Sequence, residues 1–98
     1  MQIPNKVKIL GHEYSVIYDE KIFMTESSGC AKACANTLEI TLSPQVPESR
    51  QAEALMHEIF EMIKYTLNIE LDHQTLSALS ELLFAVIRDN GLDFRRVE

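Results

Sequence analysis

Apolar residues recur at every second position near the start of the chain, at Val7 and Ile9 and again at Tyr14, Val16 and Tyr18, with Gly11 and His12 between the two runs. A period of two belongs to a strand with one buried face, and the Gly11-His12 break predicts a tight hairpin turn. Glu26-Ser27-Ser28-Gly29 has loop composition, and beyond it Cys30 to Cys34 and Leu38 to Leu42 predict two more strands around Ala35-Asn36-Thr37. Past Pro44 and Pro47 the period changes. Ala52, Leu55, Met56, Ile59, Phe60, Ile63 and Leu67 recur at three- and four-residue steps, the pattern of an amphipathic helix from about Glu48 to Leu67. Asn68 to Leu71 is a short connection, and Asp72 is a good N-cap. Leu76, Leu79, Leu83, Val86 and Ile87 then mark a second helix that stops at Asn90-Gly91, where glycine supplies the left-handed end. So short a connection makes the helices antiparallel neighbours. The predicted fold is α+β, a single domain over residues 1–98 in which a small, mostly antiparallel sheet of three or four strands packs against an antiparallel helical hairpin.

Composition narrows the class. A chain of 98 residues that is 46% hydrophobic can bury one core without disulfide staples. No stretch approaches the roughly 20 consecutive apolar residues that span a bilayer, and Met1 to Leu10 has neither a long apolar run nor a small-residue cleavage site. The expectation is a soluble, cytoplasmic protein with no membrane partner. Nine basic against fifteen acidic residues give a formal charge of −6, which offers phosphate backbones no general attraction. No nucleic acid partner is expected; Arg95 and Arg96 form a local basic pair. Cys30 and Cys34, four apart on a strand, stand about 13 Å apart at Cα by strand rise, beyond disulfide reach. They are expected to be two buried thiols in a reducing compartment.

The candidate chemistry lies on the first helix, in His57-Glu58-Ile59-Phe60-Glu61. This run differs by one residue from the H-E-x-x-H signature in which two histidines, four apart on one helical face, bind Zn²⁺ while the glutamate serves as general base. Glu61 stands where the second histidine would be, and a carboxylate is also a zinc ligand. His57 and Glu61 are one turn plus about 40° apart, so both can face one ion, and Glu58 sits about 100° round from His57. A third ligand has two candidates on the second helix. Strictly antiparallel helices would bring Glu81 level with His57 and Glu61, whereas His73 would complete the more usual set of two histidines and one carboxylate. Ordinary readings compete at each position: a half-buried helix histidine, a Glu61 surface pair with Lys64 or Tyr65, a His73 that belongs to the helix start, a His12 that is a turn residue. Tyr65, one turn beyond Glu61, is either a packing residue or an oxyanion donor.

Taken together, Val7-Lys8-Ile9-Leu10-Gly11, Tyr14-Ser15-Val16, Asn36-Thr37-Leu38-Glu39-Ile40, Ala54-Leu55-Met56-His57-Glu58-Ile59 and the ending Leu83 to Asn90 resemble the small zincin-like proteins of phages and prophages. The resemblance covers nearly the whole chain. It implies a zincin-like minimal core and a zinc-dependent metallopeptidase that hydrolyses amide bonds of a protein or peptide in the host cytoplasm. It carries His57 and Glu61 over as metal ligands and Glu58 as the catalytic base. Some members of that group have glutamate for the second histidine together with a histidine at the start of the next helix, which ranks His73 above Glu81. Two other readings remain: a catalytically inactive zincin-like binding module that recognises a host or phage protein, and a metal-free homo-oligomeric structural protein assembled through apolar helix faces.

Overall fold

The computed structural model describes residues 3–22 and 31–93. The Glu26 to Gly29 loop, Cys30 and the Arg95-Arg96 pair lie outside the described residues.

Strands β1 (Lys6–Ile9) and β2 (His12–Tyr18) form an antiparallel hairpin in which Ile9 pairs with His12. The turn is Leu10-Gly11, one residue earlier than the sequence predicts. Both turn residues have positive φ, 48° and 90°, the left-handed pair that a two-residue hairpin of matching twist requires. His12 is therefore the first residue of a strand and not a turn residue.

Strands β3 (Ala31–Cys34) and β4 (Glu39–Leu42) pair antiparallel, and β4 also lies parallel to β2. The sheet order β1-β2-β4-β3 makes it mixed, with β1 and β3 at the two edges. Alternation puts Tyr14 and Val16 of β2 on the inner face with Ile9, Ala31, Ile40 and Leu42, all buried. Lys32 and Cys34 of β3 are exposed. The expectation of a buried thiol thus fails at Cys34, because the strand turns Ala31 and Ala33 inward and so turns its neighbours outward.

Helix α1 (Glu48–Leu67) closes the core, with Leu55 and Met62 buried against the sheet and Ile59 and Ile63 beside them. It ends at Asn68 (φ 52°), whose N–H reaches the Lys64 and Tyr65 carbonyls. Helix α2 (His73–Asn90) begins at Asp72, whose Oδ1 accepts from the Thr75 N–H at 2.8 Å, and stops at Gly91 (φ 57°). The described chain thus has the α+β architecture of a four-stranded sheet and a helical hairpin.

The hairpin meets the sheet through α1, while α2 packs on α1. That arrangement moves the buried face of α2. The sequence marks Leu76, Leu79, Leu83, Val86 and Ile87, whereas the buried residues are Leu76, Ser80 and Phe84; Ile87 is half-buried, and Leu79, Leu83 and Val86 are exposed. A helix with one packed neighbour buries one stripe, and apolar residues in excess of that stripe stay outside. Ser80 is admitted to the buried stripe because its hydroxyl donates to the Leu76 carbonyl at 2.7 Å.

Candidate metal centre

On α1, His57 and Glu61 lie one turn apart, half-buried, on a side of the helix between the sheet and α2. His73 is the first residue of α2 and is exposed. The rings of His57 and His73 meet edge to face, with centroids 5.3 Å apart and planes at 65°. One donor atom from each of His57, Glu61 and His73 lies within 4.8 Å of the others.

Helix spacing alone does not place His73 there. Leu67 ends α1 ten residues beyond His57, about 15 Å of helix. The five residues from Asn68 to Asp72 reach about 17 Å when extended. Contact between the two rings therefore requires the connection to bring the start of α2 back toward His57. It is thus His73, and not Glu81, whose donor atom stands beside those of His57 and Glu61. Glu81 lines the same cleft, but it is not in the close group of donors.

The cleft has a volume of about 570 Å³. Arg50, Ala54, His57, Glu58 and Glu61 of α1 line one side, His73, Ser77 and Glu81 of α2 another, and Ala31 to Ala33 of β3 a third. Several contributors were not identified from sequence, Glu53 and Ser80 among them. Arg50 stands seven residues before His57, on nearly the same helical face, and the two-turn spacing could have revealed it. Ser77 brings its Oγ to 3.4 Å from His73 Nε2, a contact that the four-residue spacing also contained. The edge strand β3 had no such signal, because its place in the sheet is a tertiary fact.

Electrostatics favour a ligand-ready His57. Burial pushes its pKa below the usual 6.5, the neighbouring Glu61 carboxylate opposes that shift, and His73 adds to it. Burial is the largest of the three, so the neutral imidazole is the favoured form at neutral pH. Among the described residues Glu61 forms no ion pair with Lys64, leaving its carboxylate to the histidines. The Asp72 carboxylate is held below its usual range by the backbone N–H and hydroxyl of Thr75, which ties down the start of α2 and with it His73.

Other candidates fall elsewhere. Tyr65 is 67% exposed and lines a second cavity with His12 and Asn36, at the far end of α1. It neither packs in the core nor lines the cleft around His57. The Cys34 thiol is exposed, and its pKa is lowered by the Thr37 side chain first and by the backbone N–H groups of Thr37 and Asn36.

The donor set suits zinc. Four ligands about 2.1 Å from a tetrahedral ion stand about 3.4 Å from one another, so a group already within 4.8 Å needs side-chain rotation of an ångström or so and no movement of the helices. Comparison of the chain with family models, curated proteins and solved structures gives no match. No helix among the described residues is long and apolar enough to cross a membrane.

Proposed function

We propose that this chain is a small zinc-dependent peptidase of the zincin-like type found in phages and prophages, with His57, Glu61 and His73 holding Zn²⁺ and Glu58 acting as the base. The observation that carries the reading is the convergence of those three donors from two helices inside one cleft. Structural zinc sites have four protein ligands, whereas three with an open position is the pattern of catalytic ones. Bound there, zinc would polarise a carbonyl and acidify a water to a pKa of about 7. Glu58, adjacent to His57 and lining the same cleft, takes the proton of the attacking water on its carboxylate and passes it to the leaving amine. Among the described residues β3 is an edge strand, and it borders the cleft, so an extended peptide can pair with it and lie across the histidines.

Elemental mass spectrometry on protein purified without a metal-affinity tag tests the site. The parent should carry close to one zinc per chain, and His57→Ala and His73→Ala should lose it. Glu58→Gln should keep the zinc and lose cleavage of a mixed peptide library by about 10²-fold or more. A parent that takes up no zinc even after incubation with it would end this reading.

A further inference from the structure

We infer that Ser77 is a positioning residue for the proposed zinc site: it holds His73 through Nε2, so that Nδ1 is the nitrogen His73 presents to the ion. The inference rests on the zinc reading above and extends it from which residues bind to which atom binds. Ser77 Oγ stands 3.4 Å from His73 Nε2, one turn further along α2, and both residues line the cleft. One donor atom of His73 also lies within 4.8 Å of the donors of His57 and Glu61. The two nitrogens of an imidazole point away from each other in the plane of the ring, so one faces Ser77 and the other is left for the ion.

The protons agree with that division. A nitrogen that binds zinc must offer a lone pair, and the other ring nitrogen then carries the proton. Metal-ligating histidines as a rule donate this second N–H to a nearby oxygen, which fixes both the tautomer and the orientation of the ring. A serine hydroxyl accepts through its lone pairs wherever its own proton points, so Ser77 Oγ can take the Nε2–H. The reverse assignment, with zinc on Nε2, would put the ion on the side of the ring that faces Ser77 and give the Nδ1–H no protein partner among the described residues.

His73 needs such a hold more than the other two ligands. His57 and Glu61 sit half-buried in the middle of α1, whereas His73 is exposed at the first position of α2. The Asp72 cap fixes the backbone there through Thr75, but not the torsions of the imidazole. The ring itself is met by the edge-to-face contact with His57 and by the Ser77 hydroxyl. A half-turn about Cβ–Cγ would exchange each nitrogen with a ring carbon, and the Ser77 contact opposes that turn.

Nitrogen-15 correlation spectra of the histidine rings in the full chain, with and without an equivalent of zinc, test this. The chain has three histidines, and His73→Ala identifies the signals of that ring. With zinc, His73 Nδ1 should take the shift of a metal-bound nitrogen and Nε2 that of an N–H. Ser77→Ala, a change to a good helix former, should bind zinc about 10-fold more weakly in competition with a chelator, the low end for a lost ligand-orienting partner because the contact is long and partly exposed. Ser77→Thr, which keeps the hydroxyl, should recover most of that loss. Zinc bound through His73 Nε2, a Ser77→Ala variant that binds as tightly as the parent, or a Ser77→Thr variant as weak as Ser77→Ala would each overturn the inference while leaving the zinc site itself standing. A parent that takes up no zinc would overturn both.

Discussion

Helices α1 and α2 have similar lengths and similarly periodic sequences, yet their surroundings differ. α1 is covered by the sheet on one side and by α2 on another, while α2 rests on α1. The apolar residues of α1 are accordingly half-buried or buried as far as Lys64, whereas α2 leaves Leu79, Leu82, Leu83 and Val86 in solvent. Amphipathic period reports that a face wants burial; it does not report what is available to bury it. The His57, Glu61 and His73 cluster belongs to the seam between the two helices, so it takes rigidity from one and position from the other.

The largest effect should come from breaking the covered side. Leu55→Ala in α1 should cost about 2–5 kcal/mol, read from urea unfolding, because it opens a cavity against the sheet. Leu82→Ala at low protein concentration should change stability by no more than about 0.5 kcal/mol, since a mostly exposed side chain leaves no cavity. Equal costs at the two positions would show that the outer face of α2 is packed after all.

Asp72→Ala comes next. Loss of the cap to Thr75 should destabilise the protein by about 1 kcal/mol, and because His73 is the next residue, zinc affinity should fall with it. Asp72→Asn, which retains the capping oxygen, should restore most of both. An Ala variant that binds zinc as tightly as the parent would detach the position of His73 from its cap.

The smallest effect is a pH dependence in metal-free protein. Burial holds the folded-state pKa of His57 below its ordinary 6.5, so on acidification the unfolded chain takes up a proton at this position before the folded chain does. Stability contributed by the neutral ring is therefore complete above about pH 6.5 and is lost as pH falls from there through the lower folded-state value. His57→Gln should flatten that part of a plot of urea midpoint against pH. If the parent and the variant have the same slope between pH 5 and 7, desolvation at His57 is too weak to matter.

Much of this was legible in the chain. The α1 limits at Glu48 and Leu67, the cap at Asp72 and the stop at Gly91 are local facts, fixed by proline, by a carboxylate within reach of a free N–H, and by a residue that tolerates positive φ. His57 and Glu61 share a face for the same kind of reason. The Leu10-Gly11 turn was missed by one residue because leucine seldom adopts φ 48°, and the strand register, not turn propensity, put it there.

What the sequence determined by itself is everything set within one turn or one hairpin: the element types, their ends, and the pairing of His57 with Glu61 along one face. What only the tertiary structure decided is everything that needs two elements to meet. The parallel contact of β2 with β4, the placement of β3 at the edge of the cleft, and the arrival of His73 beside His57 all depend on where the chain returns. The same holds for the choice of Leu76, Ser80 and Phe84 over Leu79, Leu83 and Val86 as the buried face of α2. Periodicity constrains rotation about a helix axis, but translation along that axis and the choice between two apolar faces are set by the packed neighbour.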